Sequence, residues 1–244
     1  MALTLITGGT RGIGAAIAQR LAADGHDLVL GYRADEERAA ATVEAVRSAG
    51  VRCEAIRADL TADDGIEALF DGLPGRLTGV VNNAGATYRY ASLVETPVEE
   101  VRRTVEVNLT APLLVARAAV RAMSTAYGGA GGVLVSVSSG AATLGSPGEY
   151  VHYAAAKAGV DAFTKGLGLE VAGQGIRVVG VAPGLVATEL HAATGDPDRV
   201  ERMAAAIPLG RAAEAAEIAA AVAWLMSDDA GYVTATTLRV AGGR

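Results

Sequence analysis

The residue types and spacing with the clearest chemical use lie in Val135-Ser-Val-Ser-Ser139 and, after a short glycine- and proline-containing stretch, Tyr153-Ala-Ala-Ala-Lys157. Tyr153 and Lys157 are four apart in an Ala-rich segment of helical character, so their side chains share one face. An ammonium ~4 Å from a phenol, at an effective dielectric of ~20, is worth roughly 4 kcal/mol, or about three pKa units. That shift would bring a tyrosine into the range where it exchanges its proton near neutrality. Ser139 ends an apolar run with the signature of a strand and could donate a hydroxyl to an oxygen that becomes negative at the same place. Ser138 is the alternative donor. The expected chemistry is proton transfer at a carbonyl-sized spot, although such a pair on an arbitrary helix is more often a half-exposed tyrosine beside a solvated lysine.

The elements that must position these groups alternate strand and helix. Leu3–Ile6 reads as a buried strand, followed by Thr7-Gly8-Gly9-Thr10-Arg11-Gly12-Ile13-Gly14 and an Ala-rich helix ending near Asp24-Gly25. Glycines at 8, 12 and 14 allow close approach of a ligand, and the helix N-terminus behind them attracts a pyrophosphate. A second strand, Leu28–Tyr32, ends in Tyr32-Arg33, where a dinucleotide fold meets the adenine ribose. Arg33 with Arg11 favours a 2′-phosphate and hence NADP(H), while Asp35 and Glu36 suit the start of a helix over 36–49. A third strand over 51–57 leads to Asp59 and Leu60, with Asp59 placed to meet an adenine edge and Thr61 placed to cap a short helix.

A fourth strand, Thr78–Val81, precedes Asn82-Asn83-Ala84-Gly85. A long amphipathic helix is expected from Thr96-Pro97 to Met123, with Asn108 at an otherwise apolar step, where it would satisfy backbone groups or hold a water. A fifth strand, Gly132–Val137, delivers Ser138 and Ser139, and a helix carries Tyr153 and Lys157 to Val171 with little charge on its flank. Ile176–Val181 forms a sixth strand. A polar stretch from Glu189 to Arg211 suits a lid, and a helix over Ala215–Met226 and a strand over Thr236–Val240 complete the pattern. Strands alternating with helices imply parallel, right-handed crossovers with ligands at the strand C-termini.

Composition narrows the function classes. The 244 residues contain no low-complexity tract or linker, and residues 1–244 read as one dinucleotide-binding and catalytic domain. A net charge of -6 disfavours nucleic acid and anionic membranes as partners. Cys53, the sole cysteine, reads as a buried small hydrophobe; His26, His152 and His191 have no metal-ligand spacing, so no metal is expected. The first strand begins almost at Met1 and the longest apolar helical run is too short for a bilayer, so a cytoplasmic location is expected.

Taken together, Thr7-Gly8-x-x-x-Gly12-x-Gly14, Asn82-Asn83-Ala84-Gly85, Asn108, Ser139, Tyr153-x-x-x-Lys157 and Pro183-Gly184-x-x-x-Thr188 resemble the short-chain dehydrogenase/reductase family over essentially the whole chain. The loop from Leu144 to Tyr153 is similar to a subgroup labelled glucose 1-dehydrogenase-like. The resemblance implies an α/β Rossmann-type doubly wound sheet of about seven parallel strands with helices on both faces, a small-molecule carbonyl or alcohol substrate, and a homotetramer or homodimer. It implies Tyr153 as acid/base, Lys157 tuning it and holding the nicotinamide ribose, Ser139 binding the substrate oxygen, and Asn108 supporting a water relay. Gly8, Arg11, Ile13, Asp59, Leu60, Asn83, Pro183, Val186 and Thr188 would line the cofactor, joined by their motif neighbours Thr10, Gly12, Gly14, Tyr32, Arg33, Ala84, Gly85 and Gly184.

Two other classes compete. Tyr150 stands seven before Lys157, the spacing of family members that reduce enoyl thioesters, and a non-catalytic dinucleotide-binding regulator would keep the fold without turnover. A serine hydrolase is disfavoured because no Gly-x-Ser-x-Gly is present. The pocket for substrate would be built from the loops Gly140–Gly148 and Thr87–Leu93 and the segment after Thr188, where Leu144, Tyr150 and Leu190 suggest a partly apolar wall.

Overall fold

The computed structural model describes residues 2–62, 64–188 and 199–244. Seven strands, β1 (Leu3–Thr7), β2 (Asp27–Tyr32), β3 (Cys53–Arg57), β4 (Leu77–Asn82), β5 (Gly132–Val137), β6 (Ile176–Pro183) and β7 (Thr236–Val240), form one sheet in the order 3-2-1-4-5-6-7. Every adjacent pair is parallel. β1 lies between β2 and β4, so the chain reverses direction across the sheet there and opens a crevice at the strand C-termini.

The near-continuous apolar runs of the central strands follow from burial on both faces. On one face Ile6, Leu30, Val81, Val135 and Val179 pack beneath α1 (Gly12–Ala23), α2 (Glu36–Arg47) and a helix near the end of the described chain, Ala215–Met226. On the other, Leu5, Val29, Val80, Leu134 and Val178 meet α3 (Gly65–Asp71), α5 (Ala111–Met123) and a long helix over Val151–Val171. With α4 (Val98–Val105), α6 (Ala141–Leu144) and α8 (Arg199–Ala204) placed in order, the last two are α7 (Val151–Val171) and α9 (Ala215–Met226). Cys53 is buried on the first face, and burial pushes its thiol up to about 11. Among the described residues no helix is long and apolar enough to cross a membrane.

Three expectations are corrected. The single helix expected over 96–123 is two helices joined by a π-helical turn, Glu106–Thr110. Pro112 has no N–H to give the carbonyl of Asn108 four residues back, and Ala111 N reaches back five residues, to Glu106 O. Thr61 does not cap α3, which begins after Asp64; its N–H and hydroxyl both donate to Asp59 Oδ1, at 3.0 and 2.7 Å. The loop after Ser139 contains the one-turn helix α6. The lid expected from Glu189 lies outside the described residues as far as Asp198, after which α8 follows. Asp35 does start α2 as expected, accepting from Arg38 N at 2.9 Å.

Helix α7 must sit close to the sheet for Lys157 to reach it, and Gly168 makes this possible near its far end. A Cβ on Gly168 would stand 2.7 Å from Ala235 Cα. Gly166, on the exposed side of the same helix, meets nothing within 4 Å. In chemical denaturation, Gly168→Ala is expected to lower stability by about 1–3 kcal/mol, because backbone cannot yield. Gly166→Ala is expected to raise it by roughly 0.5–1 kcal/mol through helix propensity.

Candidate active site

The crevice beside β1 is a cleft of about 640 Å³. Its first wall is the loop between β1 and α1. Gly8 and Gly12 hold positive φ, 61° and 50°, and a Cβ on Gly14 would fall 2.1 Å from Gly8 O. The loop is braced from β4: Asn83 Nδ2 donates to Thr7 O (2.9 Å) and Gly8 O (3.1 Å), while Asn83 N and Ala84 N both donate to Thr7 Oγ1. Thr42 Oγ1 donates to Thr10 O from behind. The first i→i−4 bond of α1 is Ala15 N to Arg11 O, so the N–H groups of Gly12, Ile13 and Gly14 are left over for an anion, and the first turn carries no acidic residue. A pyrophosphate fits this cradle, since side chains are missing where it would lie and donors face it.

Beyond the loop the cleft reaches Tyr32, Arg33, Asp59 and Leu60. Asp59 is held below the usual carboxylate range, first by the Thr61 hydroxyl and N–H and also by the charge of Arg33. Arg38, in the first turn of α2, lines the same end. Sequence reading passed over it, and its position three residues after the cap Asp35 was the available signal.

At the other end stand Ser139, Tyr153 and Lys157. Ala141 N donates to Ser139 Oγ at 3.1 Å, fixing the serine, whose hydroxyl acts on the phenol of Tyr153. Ser138 is buried and donates to Lys157 O at 3.2 Å, which removes it as the alternative donor. Lys157 is 4% exposed; its Nζ donates to Val137 O at 2.8 Å and lies 5.8 Å from the centre of the Tyr153 ring.

The electrostatics differ from the expectation that Lys157 pulls the phenol toward neutrality. Burial dominates for both groups: it pushes Tyr153 well above the ordinary phenol, against the Ser139 hydrogen bond, and it lowers Lys157 to about 8, against the pull of Asp161. The ammonium is spent on the strand carbonyl instead of the phenol.

Asn108 is fully buried behind the wall and, among the described residues nominated for catalysis or cofactor binding, is the one that does not line the cleft. Its Oδ1 accepts from Ala86 N (3.2 Å), and Nδ2 donates to Ala86 O (2.8 Å) and Thr104 O (2.9 Å). Gly85 lies between it and the lysine, since a Cβ there would stand 2.8 Å from Asn108 Oδ1 and 3.5 Å from Lys157 Nζ.

The segment Pro183–Thr188 closes the cleft. Gly140 N donates to Pro183 O, Gly184 N to Val240 O, and Ala187 N to Ala213 O, and Thr188 Cγ2 comes 3.8 Å from the position a Cβ on Gly12 would take. Val186 is buried beside Gly184. Tyr150 is stacked on Tyr90, in the Thr87–Leu93 loop expected to line the substrate pocket, and meets Tyr153 edge-on. Leu190 and His191 lie outside the described residues. Among the described residues no group of three or more His, Cys, Asp or Glu side chains could hold a metal ion.

Comparison with known proteins identifies the family. A family model described as enoyl-(acyl carrier protein) reductase matches residues 8–244. The chain is 41% identical over 247 residues to a protein of Escherichia coli K12 named uncharacterized oxidoreductase YgfF, spanning 100% of both. It is 40% identical to 3beta-hydroxysteroid dehydrogenase 1 of Eggerthella lenta, over 98% of this chain and 92% of that one. A short-chain dehydrogenase from Burkholderia cenocepacia J2315, solved in complex with NADP, matches with a TM-score of 0.90 and 33% identity over 99% of this chain and 97% of the other. The chain therefore belongs to the short-chain dehydrogenase/reductase family, oxidoreductases that bind a nicotinamide dinucleotide.

Proposed function

We propose that this protein reduces a carbonyl group at the expense of NADPH, with Tyr153 giving a proton to the carbonyl oxygen. The observation that carries this reading is that Ser139, Tyr153 and Lys157 stand together in the wall of the cleft that also contains the glycine cradle. A carbonyl oxygen placed between the two hydroxyls accepts from both, and the bond to it strengthens as negative charge develops there. When bound, the reduced nicotinamide supplies the hydride to the carbonyl carbon. Because burial keeps Tyr153 protonated, it is suited to act as the acid, which is the reduction direction.

Once Tyr153 has given up its proton, the buried ammonium of Lys157 stabilises the phenolate left behind, and it is also placed to hold the ribose. The proton is then replaced through a water relay that Asn108 supports from behind the Lys157 side of the cleft. At the adenosine end, Arg11, Arg33 and Arg38 supply guanidinium charge for a 2′-phosphate. Asp35 is committed to capping α2 instead of accepting from a ribose. The NADP-bound Burkholderia relative supports the same preference. The exposed Leu113, Leu114 and Leu169 on α5 and α7 support assembly as a homodimer or homotetramer.

The family model's description shares its wording with a second reading, in which Tyr150 serves an enoyl thioester. Its ring is packed between Tyr90 and Tyr153, which suits a wall better than a proton donor.

Three results are expected. In NADPH-dependent reduction of a ketone panel, Tyr153→Phe loses roughly 100- to 10,000-fold in kcat, the range for a removed general acid, while Tyr150→Phe keeps most of the activity. The reverse order would transfer the role to Tyr150. Reduction falls as pH rises through about 8, where Lys157 loses its charge, and the fall is absent below that value. Arg33→Ala lowers kcat/KM for NADPH by about 10- to 100-fold and leaves that for NADH nearly unchanged, the loss of a charged hydrogen bond to phosphate.

A further inference from the structure

The substrate end of the cleft contains three aromatic rings in a row. Tyr90 and Tyr150 have ring centres 4.9 Å apart with planes tilted by 33°, and Tyr150 meets Tyr153 at 5.2 Å and 88°. All three line the cleft, so an aromatic surface runs outward from the proposed acid. Leu144, Pro147, Leu185 and Met203 extend the apolar lining around it, and Leu144 is 46% exposed, a large apolar side chain uncovered within the cleft wall.

This surface is built before any ligand arrives. Tyr90 stands on the loop after β4 and Tyr150 at the start of α7, and the two segments are joined by the bond from Ala91 N to Glu149 O, 2.9 Å. Two rings on separate segments, held in mutual contact by a backbone bond, lose little freedom when a third ring packs on them.

The charged groups nearby point the same way. Glu149 lines the cleft beside Tyr150 and adds no cation there. Arg239, whose Nη2 would stand 3.7 Å from a Cβ on Gly140, already donates to the Thr143 hydroxyl through Nη1 and to Arg244 O through Nε at 2.5 Å.

We infer that the substrate is a carbonyl compound carrying an uncharged apolar ring, which packs on the Tyr90–Tyr150 pair while its carbonyl meets Ser139 and Tyr153. This rests on the carbonyl-reductase reading above, and Tyr90 is its specificity-determining residue. Tyr90 carries no step of the proton transfer.

The test compares two ten-carbon ketones, α-tetralone and methyl octyl ketone, by NADPH turnover and by calorimetric binding to the protein saturated with NADPH. Wild-type protein is expected to favour α-tetralone by about tenfold in kcat/KM, and Tyr90→Ala to lose roughly five- to tenfold on it through KM, with kcat held. Methyl octyl ketone should change less than twofold, and Tyr90→Phe should behave as wild type, which separates loss of the ring from loss of the fold. Equal affinity for the two ketones, or an equal loss on both in Tyr90→Ala, overturns the inference. Ring-selective binding that Tyr90→Ala abolishes, without turnover of either ketone, upholds the ring subsite and counts against the reductase reading alone.

Discussion

A lysine ammonium placed out of water beneath the floor of a cleft is the constraint on which the rest of this structure depends. Lys157 needs an acceptor, and the carbonyl of Val137 at the end of β5 provides it. That bond fixes the start of α7 against the sheet, and therefore fixes where Tyr153, one turn earlier, meets Ser139, two residues beyond Val137. The neighbours accommodate the ammonium in turn. Gly85 carries no side chain where one would crowd Nζ, and Asn108 uses both amide hydrogens to tie the widened π-helical turn to Ala86 and Thr104. Helix, strand end and loop meet at a single buried charge.

The same logic explains why burial shifts the phenol of Tyr153 and the ammonium of Lys157 in opposite senses. Removing water disfavours whichever form is charged, so the phenol holds its proton more tightly and the ammonium less so. A protonated tyrosine beside a weakened but charged lysine is an arrangement prepared for the product side of a proton donation, because the phenolate is the state in which the two attract. For reduction this places the electrostatic assistance where charge develops and leaves the starting state uncharged at the phenol.

Much of this was legible in the sequence because the determining features are local. Glycine spacing after a buried strand located the phosphate cradle, the i,i+4 relation of Tyr153 and Lys157 gave them a common face, and alternating strands and helices gave a parallel sheet. What the sequence did not carry was the outcome of competition between partners. Nothing in the spacing says that Lys157 prefers a carbonyl 20 residues earlier to the phenol one turn away. Likewise Thr61 looks like a cap until Asp59 claims both its donors, and the helix break at Asn108 comes from a missing N–H at Pro112 acting four residues back. Arg38 escaped notice because a shared cleft, not a motif, brings it to the site.

The most direct measurement uses an α,β-unsaturated ketone, which offers both a C=O and a C=C, with NADPH carrying deuterium at nicotinamide C4. Nuclear magnetic resonance of the product then reports where hydride was delivered. Carbonyl reduction with Tyr153 as the acid places deuterium on the carbinol carbon and leaves the double bond intact. Deuterium at the β-carbon of a saturated ketone would contradict it.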